Sequence, residues 1–276
     1  MKGLLDGQTA IITGAGRGIG AASAKLFAEH GARIVVSDLD IEPAKAVVDN
    51  IHQSGGDAVY VCGDITDPKF PDTLISETIA KYGEINIIVN NAGYTWDGML
   101  HKMSDKQFSA MLEVHNSGPF RLIRAAAPHM REEAKKEKAQ AKAFKPRCIV
   151  NVSSTSGLHG NIGQVNYSTA KMGLVGMTKT VAREWGAFGI RCNAVAFGFI
   201  NTRLTREKES SESIDVDGQQ VQLGIPGKLR ETVRAIIPLG REGTVEEAAG
   251  AILLLACPLA SYITGHTLEV TGGMGI

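Results

Sequence analysis

Thr13-Gly14-Ala15-Gly16-Arg17-Gly18-Ile19-Gly20 follows the apolar run Thr9-Ala10-Ile11-Ile12 and opens a stretch with Ile19, Ala22, Leu26 and Phe27 at helical spacing. A strand, a glycine turn and a helix in that order form the first half of a β-α-β crossover. Glycine lets the chain turn tightly and lets a ligand approach the backbone. The exposed N–H groups of the helix start attract a phosphate. The segment predicts a doubly wound α/β fold with a dinucleotide held over Gly14, Gly18, Ile19 and Gly20.

Outward from this unit the same alternation repeats. Strands are predicted at residues 9–13, 33–37, 58–62, 85–90, 148–153, 191–196 and 267–270. Several are continuous Val/Ile/Ala runs, as strands buried on both faces of a parallel sheet require. Helices are predicted at 18–30, 42–54, 71–82, 105–138, 167–185 and 245–257. The chain of 276 residues is read as one domain, 1–276, with right-handed crossovers. Two stretches interrupt the order. Residues 131–147 are dense in Lys, Glu and Ala and read as a solvated helix extension, with a docking surface for an acidic partner as the alternative. Residues 202–238, broken by Gly218, Gly224, Pro226 and Gly227, read as a substrate lid on the carboxyl edge of the sheet rather than an idle loop.

Composition limits the function classes. Lys+Arg and Asp+Glu both total 29, so no global basic field draws nucleic acid or an anionic membrane. The longest apolar run, 248–257, is too short to span a bilayer, and the N-terminus carries no signal-peptide pattern. Cys62, Cys148, Cys192 and Cys257 have no CxxC spacing and read as reduced cytosolic thiols, with no metal framework. The expected location is the cytoplasm.

Asp38 lies 18 residues past Gly20, just beyond the second strand. A carboxylate there accepts from the adenosine ribose hydroxyls and repels a 2′-phosphate, so NAD is expected over NADP. Arg17, inside the glycine loop, reads either as a 2′-phosphate ligand or as a phosphate-backbone or surface contact. Asp64 reads either as an acceptor for the adenine amino group or as a turn cap. Asn90-Asn91-Ala92-Gly93 ends the fourth strand; its small residues admit a cofactor and its Asn side chains can tie loops together.

Tyr167 and Lys171 are four apart and share a helix face. A nearby ammonium is expected to lower the phenol's pKa, making Tyr167 a general acid for ketone reduction or a base for alcohol oxidation. Lys171 can also reach a nicotinamide ribose. Ser154, at a strand end, can hold the substrate oxygen. Asn116, polar in an apolar helical stretch, is expected to bend the helix and hold a proton-carrying water.

These motifs, with Ile263-Thr264-Gly265 and Val270-Thr271-Gly272-Gly273, resemble the short-chain dehydrogenase/reductase family over nearly the whole length. The resemblance implies a seven-stranded Rossmann fold, an Asn116–Ser154–Tyr167–Lys171 tetrad and a homotetramer with the Tyr167 helix and C-terminal segment at interfaces. It places Ile65, Asn91, Gly198, Ile200 and Thr202 with the cofactor. The nearest subgroup is the 3-oxoacyl-[acyl-carrier-protein] reductases, implying an acyl-CoA or acyl-carrier-protein thioester as substrate. One departure stands out: Phe197-Gly198 replaces the family's Pro-Gly, adding an aromatic wall. Thr95, Leu158, Gln164, Phe197 and Phe199 are the expected substrate lining. His159 reads as a loop histidine near it. A hydroxysteroid or other bulky secondary alcohol is the rival substrate class, and a non-catalytic dinucleotide sensor the remote one.

Overall fold

A computed structural model describes residues 3–207, 213–216 and 219–275. Seven strands form one parallel sheet: β1 (Thr9–Thr13), β2 (Arg33–Asp38), β3 (Asp57–Cys62), β4 (Ile87–Asn90), β5 (Arg147–Ser154), β6 (Ile190–Phe197) and β9 (Thr267–Val270). Their order is β3-β2-β1-β4-β5-β6-β9. The direction of winding therefore reverses between β1 and β4, and the crevice at the carboxyl ends of those strands is where such sheets bind ligands.

Alternate residues of each strand feed two cores, as the two-residue period dictates. Ala10, Ile12, Ile34, Val36, Ile87, Val89, Val150 and Val195 face α1 (Gly18–Glu29), α2 (Ile41–Gln53) and α9 (Val245–Ala256). Ile11, Val35, Ile88 and Ile149 face α3 (Phe70–Tyr82), α4 (Asp105–Leu112), α5 (Gly118–Ala139) and α7 (Val165–Trp185). Burial of both faces explains the continuous apolar runs.

The expected helix over 105–138 is interrupted. A π-helical turn, Glu113–Ser117, separates α4 from α5. A π-turn inserts one residue into the ladder, which leaves the apolar spacing on either side looking continuous. Three further elements escaped the sequence reading: α6 (Thr155–His159), the antiparallel hairpin β7 (Ser213–Val216) with β8 (Gln219–Gln222), and α8 (Gly227–Ala235). The last two lie in the expected lid, whose Gly218 falls outside the described residues. Arg230 and Arg234 both bind the buried carboxylate of Glu242, fastening α8 to the segment before α9.

The stretch 131–147 mostly continues α5, and Lys136 pairs with Glu133 on its exposed side. Its end is not merely solvated. Arg147 is buried at the start of β5 and grips Glu137 through two bonds of 2.8 and 2.7 Å.

Candidate active site

The start of α7 is fastened from three sides. Asn166 is fully buried; its amide donates to the carbonyls of Trp96 (2.9 Å) and Gln107 (3.1 Å). A buried polar chain runs from Asn90 to Asn151 to Thr178, each bond 2.8 Å, and ties β4 and β5 to the middle of α7. Ser153 donates to the Lys171 carbonyl at 2.8 Å. Gly157 of α6 lies so close that a Cβ there would stand 2.9 Å from Lys171 Cβ. Buried hydrogen bonds of this kind fix one geometry rather than a range.

That geometry brings Ser154, Tyr167 and Lys171 together. The Ser154 hydroxyl hydrogen-bonds with the Tyr167 hydroxyl, and its oxygen also accepts from Ser156 N at 3.2 Å. Burial pushes the Tyr167 phenol up to about 12; the Ser154 bond opposes this and the Asp97 carboxylate adds to it. Lys171 Nζ donates to the Val152 carbonyl at 2.7 Å and lies 5.5 Å from the Tyr167 ring centre. Burial brings its ammonium down to about 7. The expected lowering of the phenol by Lys171 is therefore corrected: the ammonium points at a backbone carbonyl, and desolvation governs both groups. The phenol is kept protonated, which suits an acid.

The π-turn presents two consecutive side chains in different directions. Asn116 Nδ2 donates to the Ala170 carbonyl at 2.9 Å and abuts Gly173, bracing α5 against α7. The helix is interrupted here by the π-turn, and the Asn116 amide is bonded to the Ala170 carbonyl of α7 and not to Lys171. The side chain beside the tyrosine is His115, missed by the sequence reading: its ring stands edge-on to Tyr167, centroids 5.2 Å apart at 83°. It is 2% exposed, and Nε2 lies 2.9 Å from the Tyr94 carbonyl.

Across the crevice, Gly14, Gly16 and Gly20 form a cradle that side chains would fill. A Cβ would stand 2.8 Å from Ala92 Cα at Gly14, 2.9 Å from an Asp38 oxygen at Gly16, and 2.2 Å from the Gly14 carbonyl at Gly20. Gly14 and Gly18 also adopt positive φ, 62° and 54°. Helix α1 begins at Gly18 with no side-chain cap and no acidic residue in its first turn. Its N–H groups are thus left for an anion. Asn91 donates to the Thr13 and Gly14 carbonyls at 2.9 and 3.0 Å, so it ties the glycine turn to β4. Asp38 accepts from Gly16 N at 2.7 Å and Asp40 N at 3.1 Å, while Arg17 pairs with Asp40 at 2.6 Å.

The family described as Enoyl-(Acyl carrier protein) reductase matches residues 14–275. The 3-oxoacyl-[acyl-carrier-protein] reductase FabG of Thermotoga maritima is 36% identical over 272 residues, covering 99% of both chains. The 3-oxoacyl-[acyl-carrier-protein] reductase of Synechocystis is 37% identical over 272 residues, 98% of each chain, and FabG of Escherichia coli is 36% identical over 269, again 98% of each. The chain belongs to the short-chain dehydrogenase/reductase family. It is an oxidoreductase of a CH–OH/C=O pair that uses a nicotinamide cofactor.

The cradle fits the pyrophosphate of the cofactor that a short-chain dehydrogenase/reductase uses, for the steric reasons given above. The other expected cofactor residues fall into groups. Thr202 lies beside Gly18, its methyl 4.0 Å from where a Cβ would stand. Gly198 packs on Thr271, and its N–H donates to Val270. Ile19 is half-buried against the α1 side of the sheet, while Ile65 and Ile200 are buried in opposite cores. Asp64 is exposed and caps a turn, accepting from Thr66 N at 2.8 Å. Ala92 N donates to Thr13, and Gly93 lies under the His115 ring.

The substrate residues divide likewise. Thr95 and Leu158 are half-buried near the start of α7. Gln164 donates to Asp97 at 3.0 Å, a carboxylate the sequence reading did not single out. Phe199 is buried, with the Arg230 guanidinium of α8 5.8 Å from its ring centre. Phe197 is a correction: it is 6% exposed and belongs to the core on the α1 and α9 side, because its place in β6 alternates with residues facing α7. It is no wall beside Tyr167. His159 pairs with Glu269 at 3.1 Å on the exposed end of α6.

Proposed function

We propose that the protein reduces the ketone of a 3-oxoacyl thioester to a secondary alcohol, with NADH preferred over NADPH. The observation that carries this reading is the Tyr167 hydroxyl meeting Ser154 beside Lys171 at the carboxyl edge of the sheet. The cofactor supplies a hydride to the carbonyl carbon. The carbonyl π electrons pass to oxygen, which takes the Tyr167 proton. Ser154 donates to that oxygen and stabilises its developing charge. Lys171, buried beside the Tyr167 ring, would hold the nicotinamide ribose when the cofactor is bound.

The relatives named as 3-oxoacyl-[acyl-carrier-protein] reductases support the thioester. Exposed Arg206 and Lys228 on the lid, 202–238, suit the phosphate of an acyl-carrier-protein or CoA arm. A bulky secondary alcohol is less well supported, since Phe197 is turned into the core. Asp38 and Asp40 together favour NADH by repelling a 2′-phosphate. Exposed Phe120 and Met172 on α5 and α7, and Leu259 and Tyr262 near the C-terminus, support a homotetramer. We place it in the cytoplasm, with four free cysteines; among the described residues no helix is long and apolar enough to cross a membrane.

The test is loss of reduced-cofactor absorbance with acetoacetyl-CoA, NADH and NADPH run in parallel. Rapid NADH oxidation supports the whole reading. Rapid NADPH use overturns the cofactor preference alone. No turnover with either overturns the thioester.

A further inference from the structure

His115 is buried, and its Nε2 meets an atom that can only accept. The Tyr94 carbonyl at 2.9 Å therefore fixes the proton on Nε2 and leaves Nδ1 bare; no partner lies within reach of Nδ1. Burial and the neighbouring Lys171 hold the ring's pKa well below its ordinary value, so the imidazole is neutral. The ring stands directly over Gly93, where a Cβ would come within 2.1 Å of His115 Cε1. Its other side meets Tyr167 edge-on. One side chain thus joins three pieces of chain: the π-turn, the loop after β4, and α7.

We propose that His115 is a positioning residue for Tyr167: its Nε2–H bond to the Tyr94 carbonyl fastens the π-turn to the loop after β4 and so holds in place the wall against which the phenol on α7 stands. The inference rests on the reading of Tyr167 as the proton donor. Within the π-turn the two neighbouring side chains serve different partners: His115 reaches the loop after β4 and Asn116 reaches α7.

Three variants separate the bond from the ring. His115→Asn keeps an N–H donor and gives up the ring; His115→Phe keeps the ring and gives up the donor; His115→Leu has neither. With acetoacetyl-CoA and NADH, His115→Phe and His115→Leu are expected to lose kcat about 10- to 100-fold at little cost in KM, the scale of a misplaced acid. His115→Asn is expected to recover most of the loss. Wild-type kcat in His115→Phe, or His115→Asn as slow as His115→Leu, overturns the proposal. If His115→Leu does not fold, the Asn and Phe pair decides. Tyr167→Phe run alongside tells the two failures apart. Turnover in Tyr167→Phe defeats the reading of Tyr167; an inactive Tyr167→Phe with a fully active His115→Phe defeats only the positioning role. Nitrogen NMR of the wild-type imidazole needs no turnover: an Nε2–H tautomer unchanged across neutral pH is expected, and an Nδ1–H or titrating ring overturns it.

Discussion

Lys171 stands 5.5 Å from the centre of the Tyr167 ring yet donates to the Val152 carbonyl at 2.7 Å. The two groups are neighbours without being an ion pair, and burial moves each toward its neutral form.

The first consequence is a pH dependence of stability. The folded chain releases the Lys171 proton near 7, the unfolded chain near 10.5. Between those values the unfolded state binds more protons, so stability rises with pH across the window, and below it the penalty is complete. Tyr167 acts in the opposite sense only above its ordinary 10.0. Lys171→Met removes the first effect. Urea melts at about pH 6.5 and about pH 9.5 should show the variant's advantage shrinking as pH rises; a constant gap would falsify the assignment.

Tyr167→Phe removes the proton and keeps the ring. Turnover should fall by about 10²- to 10⁴-fold, the range of general acid catalysis. NADH binding, followed by its fluorescence, should survive. Near-normal turnover would leave the mechanism without its acid.

Asp38 and Asp40 place two carboxylates where the adenosine ribose is expected, and Asp40 engages Arg17. Asp40→Asn should release Arg17 toward a 2′-phosphate, and Asp38→Asn should lower the repulsion. The double variant should shift kcat/KM toward NADPH by at least about tenfold, equivalent to about 1.4 kcal/mol. An unchanged ratio would remove both residues from cofactor selection.

Arg147 and Glu137 form a bidentate pair with side-chain exposures of 5% and 16%. The arginine holds the Glu137 carboxyl below its usual range. Glu137→Ala leaves a buried cation and should cost about 3 kcal/mol in denaturant melts. Arg147→Met combined with it should recover much of that loss. Equal losses in single and double variants would argue against the pair.

Sequence alone carried the sheet well. The strands at Thr9–Thr13 and Thr267–Val270 begin and end where expected, and the others differ by a residue or two, because parallel strands buried on both faces leave continuous apolar runs. Ser154, Tyr167 and Lys171 were legible from their spacing. His115 was not, since a single histidine in an apolar stretch looks like core; the cue was its position beside Asn116, where the helical pattern turns polar. Asp97 and Asn166 act through contacts across 67 and 70 residues, which no local pattern records. The orientation of Phe197 depended on which face its strand position took, and one residue of register reverses that. The hairpin and α8 lack a strong apolar period.

The hydrogen bond from Gly16 to Asp38 bears on how such a protein changes over evolutionary time. The carboxylate proposed to select the nucleotide is also an anchor of the glycine turn. A lineage that lost Asp38 outright would gain tolerance for a new cofactor and loosen its grip on every cofactor at once. The passable route runs through substitutions that preserve an acceptor for Gly16, so descendants with altered preference should more often carry Asn or Ser at position 38 than a small apolar residue.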